Sequence, residues 1–228
     1  MLVNGLEIEV EHKYIKNVHL SVYPPDGRVH ISVPYGYGEE RIRMYILQKW
    51  VWIEEKRELL TSYNRLPERE YISGETHYFK GTKYRLKVNR RPSGAYSVHV
   101  EGDYIVVDVH RDTSADHIRQ TLYSWYKEQT LPIFTRLIAK WQEILGVAPS
   151  RWELRQMASR WGSCSPSKGV VFLNVELAKK PIECMEYVVA HEMTHLIERN
   201  HTDRFRRLLD THLPAWQQIK TRLNEYPI

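Results

Sequence analysis

Between residues 191 and 201 the chain carries four side chains whose types and spacing can do metal chemistry: His191, Glu192, His195 and His201. In His191-Glu192-Met193-Thr194-His195 the two histidines stand four apart. On a helix advancing about 100° per residue they project within about 40° of each other, one turn along the axis, and can reach one cation. Glu192 lies roughly 60° from His195 on the same wheel. It therefore flanks the metal, where a base must sit to take a proton from a metal-activated water. The pentapeptide alone is moderately specific. A third histidine sharpens it, because hydrolytic zinc sites use three protein ligands and keep one position open. Were the helix to continue, His201 would lie about 15 Å from His191 along the axis. The reading thus requires a turn between Leu196 and His201, with Asn200 in left-handed geometry and Thr202 capping the next helix. Asn200 is placed beside the ligands as a supporting residue. A closed structural site is the rival, and Cys164 would be its fourth ligand.

The second unusual stretch is Arg160-Trp161-Gly162-Ser163-Cys164-Ser165. Three readings stand open on the residues alone: a nucleophilic Cys164 with an unidentified histidine partner, a turn holding a packed tryptophan, or a loop lining the metal cleft.

The rest of the chain must position these residues. Residues 1–112 read as a β-rich region with one helix, and 113–228 as an α+β catalytic part. Val18, Leu20, Val22 and then Val29, Ile31, Val33 alternate around Pro24-Pro25-Asp26-Gly27, which predicts a hairpin over 17–33. Helical spacing predicts one helix over 39–60. The run 78–88, then 96–100 and 104–109, reads as a small antiparallel unit of strands. A long helix is expected from Ser114 to Gly146, capped by the serine, stopped by the glycine and kinked or broken at Pro132. Strands are expected at 152–158 and 170–175, joined by a polar turn over 163–169. Pro181 should open the helix that carries the histidine pair.

Composition bounds the class. The chain has 228 residues, 42% hydrophobic and 27% charged, with two cysteines. That is enough for a sizeable core and fits no disulfide framework, so a reducing cytoplasm is expected. Residues 1–10 lack a basic segment followed by a long apolar one, which argues against a secretory signal, and no apolar run approaches a membrane span. A net charge of +5 favours anionic partners, though its spread along the chain reads more simply as a solvated basic surface.

Five segments together resemble the YgjP-like metallopeptidase family, itself related to SprT-like and WLM zincins: Arg160 to Cys164, Leu173-Asn174, Tyr187-Val188, His191 to Leu196, and Asn200 to Phe205. The resemblance is dense over 150–210. It implies a zincin-like α+β domain with one Zn2+ on His191, His195 and His201 and Glu192 as catalytic base. It also favours Arg160, Trp161, Ser163 and Cys164 as a substrate-binding loop. The chain departs from the family pattern at Met157-Ala158-Ser159, where a basic residue followed by Thr-Arg is usual. It departs from metzincins too, having Glu198 at their turn glycine. A peptidase is thus the leading expectation, with a polypeptide substrate. The same chemistry on a nucleoside triphosphate, as a pyrophosphohydrolase, is the first alternative. A nucleic-acid-associated module of SprT-like type is the second, since seven Trp and 15 Tyr offer stacking groups.

Overall fold

The structure is a computed structural model that describes residues 1–23, 27–62, 69–157 and 160–225. The expected turn residues Pro24 to Asp26, and Ala158 with Ser159, lie outside them. The chain forms two compact units, Met1–Arg65 and Leu66–Tyr226.

In the first unit, β1 (Leu2–Val3), β2 (Leu6–Lys13), β3 (His19–Tyr23) and β4 (Arg28–Pro34) form one sheet in the order β1-β2-β4-β3. β3 and β4 pair antiparallel as the alternation predicts, whereas β2 runs parallel to β4. Val3, Ile8, Val29, Ile31 and Val33 share a core with Ile42, Ile46 and Ile53 from the two helices α1 (Glu39–Gln48) and α2 (Trp50–Ser62). The single helix expected over 39–60 is interrupted at Lys49, which has φ −100° and ψ 9°. The apolar pattern spans the break without proline or glycine, so periodicity carries no sign of it.

The second unit begins with β5 (Thr76–Phe79), β6 (Thr82–Arg91), β7 (Ser97–Glu101) and β8 (Tyr104–His110), in the order β5-β6-β8-β7. Two expectations change here. The run 78–88 is two strands joined at Lys80-Gly81, both at positive φ, 51° and 81°. The sheet is not purely antiparallel, because β6 and β8 run parallel. Alternation marks which residues face inward but is blind to strand direction.

α3 (Ala115–Leu145) follows, with the Ser114 side chain accepting from the His117 N–H and Gly146 left-handed at its end, as expected. It continues through Pro132. The missing N–H costs the Glu128 carbonyl its helical partner, and the buried row Tyr126, Thr130, Ile133, Phe134, Leu137, Ile138 and Trp141 outweighs that loss. The same core takes Phe79, Leu86, Ile105, Val107 and Val109 from the sheet and Met185, Val188, Val189 and Met193 from α4 (Ile182–Thr194). The compact units divide at residue 65, and the second sheet shares its core with α3 and α4.

Three strands complete the unit: β9 (Arg151–Arg155), β10 (Gly162–Ser165) and β11 (Val170–Asn174), in the order β10-β11-β9. β9 and β11 are parallel, and β10 pairs antiparallel on the open side of β11. The segment read as a polar turn is therefore partly an edge strand. After β11 a 3-10 turn, Val175–Lys179, leads into α4. The β5–β6 turn is pinned to it, with Lys80 N–H on Ala178 O at 2.8 Å and Gly81 N–H on Lys179 O at 3.1 Å. A Cβ on Gly81 would stand 2.8 Å from Pro181 Cγ, so the residue that opens α4 requires a glycine opposite it. Lys179 is buried with Glu176 at 2.5 Å, and Glu176 also accepts from the Tyr123 hydroxyl of α3. Burial holds the Lys179 ammonium below its usual range, and Glu176 partly restores it. The chain ends in α5 (Asp203–His212) and α6 (Trp216–Glu225). Together the elements make an α+β fold, strand-rich at its N-terminal end.

Candidate metal centre

α4 buries Cys184, Met185, Tyr187, Val188, Val189, Ala190 and Met193 together with Glu192 and Thr194, while His191 and His195 at its C-terminal end are half-buried. Lys140 Nζ and Trp141 Nε1 of α3 both donate to the Glu186 carboxylate, at 2.5 and 3.3 Å, and fix the middle of the helix. The helix stops at His195. Leu196 N–H then donates to Met193 O, and the Ile197 and Glu198 N–H groups donate to Thr194 O, which turns the chain at once. Asn200 does not adopt the left-handed geometry expected of it; the only non-glycine positive-φ residues described are Asn4, Tyr71 and Lys80. The Glu198 carboxylate accepts from Asn200 N–H at 3.4 Å instead. Thr202 caps α5 as expected, its side chain accepting from Phe205 N–H.

The turn brings His201 back to the helix. One ligand atom from each of His191, His195 and His201 lies within 4.8 Å of the others, and among the described residues this is the one such histidine, cysteine or carboxylate group. Cys164 is not part of it, which removes the closed four-ligand reading. The Nε2 atoms of His191 and His201 are 3.0 Å apart. Two neutral lone pairs at that separation repel unless a proton or a cation lies between them. Nitrogen ligands of one tetrahedral ion stand roughly 3.3 Å apart, so the residues present fit a metal ion. His195 Nδ1–H donates to Glu198 O at 3.1 Å, which leaves its Nε2 free for a cation. His191 Nδ1 is buried without a hydrogen-bond partner, and this ring is held by packing. Burial and the two neighbouring imidazoles push it down to about 3, so it stays neutral, as a ligand must.

Phe205 supplies that packing. It is buried, and its ring lies 5.0, 4.7 and 4.8 Å from those of His191, His195 and His201. The capping Thr202 three residues before it sets its direction. Replacing Phe205 by leucine should keep the fold and weaken metal affinity about 10-fold by loosening all three rings. Competition against a chromogenic chelator measures this, and unchanged affinity would show that the phenyl floor is incidental.

Glu192 is buried at 7% exposure, and burial raises its carboxyl to about 8 against a lowering pull from Arg160. Gly162 is the cause of its enclosure: a Cβ there would lie 2.7 Å from Glu192 Cγ and 2.8 Å from Oε1. The φ of Gly162 is not positive, so close approach alone demands glycine here. A cleft of about 490 Å³ opens over this pair, lined by Arg160, Gly162 to Ser167, His191, Glu192, His195, Arg199 and Asn200. Of the residues expected in the cleft, Arg160, Ser163 and Cys164 line it, and Asn200, expected as a support beside the ligands, lines it too. Trp161 does not; it packs against the core with its ring 4.8 Å from Lys180 Nζ. Burial and the Glu192 charge push the Cys164 thiol up to about 11, which disfavours a nucleophilic thiolate. Gly162, Phe205 and Arg199 are the residues that spacing arguments pass over.

The sequence matches the family model described as the YgjP-like metallopeptidase domain over residues 16–226. No curated protein matches the chain significantly. Solved structures similar to part of it include two metallopeptidase zymogens. The metallopeptidase zymogen abylysin of Pyrococcus abyssi is 22% identical over 39% of this chain and 90% of its own, with a TM-score of 0.37. The metallopeptidase zymogen jannalysin of Methanocaldococcus jannaschii is 19% identical over 39% of this chain and 85% of its own, with a TM-score of 0.36. The family match takes in parts of both compact units and every residue of the histidine cluster, and on that match the chain belongs to the YgjP-like metallopeptidase family.

Proposed function

We propose that the chain is a zinc-dependent peptidase that holds one Zn2+ on His191, His195 and His201 and uses Glu192 as its proton shuttle. The observation that carries the reading is the buried Glu192 carboxyl, enclosed by Gly162 and adjacent in the helix to a cluster of three imidazoles. A zinc ion there would act as a Lewis acid, making water acidic near neutral pH and polarising a carbonyl. Glu192 takes the proton at its carboxylate and returns it to the leaving amine. Arg160 and Arg199 offer charge to a substrate carbonyl or carboxylate. The edge strand β10 supports a polypeptide substrate, because an extended peptide can pair along Gly162 to Ser165 and lie across Glu192.

One observation favours the nucleotide alternative. The cleft pairs Arg160 and Arg199 with the hydroxyls of Ser163, Ser165 and Ser167, a donor set that also suits phosphate. Elemental analysis should find one zinc per chain. Zinc-loaded protein incubated with unfolded polypeptide and, separately, with nucleoside triphosphates should cleave the polypeptide. It should favour peptides with acidic side chains near the scissile bond, with kcat/KM falling as salt rises. Pyrophosphate release without peptide cleavage would replace the peptidase reading by the nucleotide one.

A further inference from the structure

Asn174 ends β11, is 3% exposed, and is absent from the cleft lining. Its side chain nevertheless makes four hydrogen bonds. Oδ1 accepts from Glu176 N–H at 3.1 Å, capping the 3-10 turn, and from Met157 N–H at 3.4 Å. Nδ2 donates to Met157 O at 2.9 Å and to Arg160 O at 2.8 Å. The backbone adds a fifth bond, Asn174 N–H to Trp161 O at 2.9 Å. Capping uses the oxygen alone. Both amide hydrogens go to carbonyls, those of Met157 and Arg160, and only a side chain with two donors and an acceptor can meet that demand. Arg160 lines the cleft beside Glu192 and acts on its charge. Next come Trp161, set against Lys180, and Gly162, set against Glu192.

We infer that Asn174 is a positioning residue: its amide ties Arg160 to Met157 so that Arg160 is held at the cleft beside Glu192. The catalytic consequence rests on the peptidase reading above; the clamp itself does not.

Asn174→Asp separates the two jobs of this side chain, since a carboxylate can still cap the 3-10 turn but cannot donate to either carbonyl. Asn174→Ser is the companion variant, with a capping hydroxyl too short to reach both carbonyls, should the buried carboxylate prevent folding. The full-length zinc-loaded variants are compared with wild type by hydrogen exchange, metal content and kinetics on an unfolded polypeptide. Exchange over 157–162 should rise at least about 10-fold, with zinc content and α4 protection unchanged. kcat/KM should fall at least about 10-fold, with the same split between kcat and KM that Arg160→Ala gives. In an Arg160→Ala background the Asn174 change should then add less than about 2-fold. Unchanged exchange over 157–162 in a folded variant, or losses that multiply in the double variant, would overturn the clamp. If wild type cleaves no polypeptide, the peptidase reading fails and the exchange result alone decides the positioning role.

Discussion

Glu192→Gln should leave zinc bound at one per chain and lower turnover by at least about 10³-fold. Glutamine fills the same space against Gly162, so the packing there is preserved. The three histidines are untouched, so metal affinity should change little. What is lost is a group that can accept a proton, an effect typically worth about 10²–10⁴-fold. The upper part of that range applies here. Among the residues lining the cleft, Glu192 is the one carboxylate, and the nearest thiol, Cys164, is held protonated by burial. Single-turnover cleavage of an unfolded polypeptide, measured with elemental analysis on the same sample, checks both halves. Full activity with zinc retained would remove Glu192 from the chemistry. Loss of zinc would instead make it part of the metal site.

The sequence carried the metal site further than the scaffold. His191 and His195 are legible because helix geometry alone relates residues four apart, and α4 supplies the helix. His201 is legible as a requirement for a chain reversal, although the wrong residue was expected to make it. Asn200 is a sound choice for left-handed backbone, but three successive N–H groups after His195 find carbonyls within the last helical turn and reverse the chain without positive φ. Arg160 is singled out by its odd neighbours, whereas Trp161 lies outside the cleft lining, and an aromatic lining a cleft and one packed on the core look alike in one dimension. Gly162, Phe205 and Asn174 act through partners 30, 4–14 and up to 17 positions away. Strand direction failed for the same reason. Period-two alternation fixes the faces of β6 and β8, but their parallel pairing depends on β7 being threaded to the far edge. The helix through Pro132 is the converse case, a strong local signal overridden by a buried face.

Gly162→Ala should lower turnover about 10²-fold with zinc retained. A methyl at this position would stand 2.7 Å from Glu192 Cγ, 2.8 Å from Oε1 and 3.0 Å from Cδ, well inside van der Waals contact. Glu192 sits on α4, whose buried face and Glu186 anchor resist movement. The movable partner is β10, an edge strand held on one side by β11. Either the strand lifts or the carboxylate changes rotamer, and both displace the base from the water it must meet. A shift on the order of 1 Å costs about 10²-fold in rate, and overpacking of a closed site costs about 1–3 kcal/mol in stability. Zinc content should not change, because the clash does not reach the imidazoles. The sharpest check is a double-mutant cycle with Glu192→Ala, which deletes all three atoms the methyl would meet. In that background Gly162→Ala should cost less than about 0.5 kcal/mol in denaturant unfolding, as expected for sites whose interaction has been removed. An equal penalty in both backgrounds would mean that Gly162 answers to its own strand, and that the enclosure of Glu192 is not what requires a glycine there.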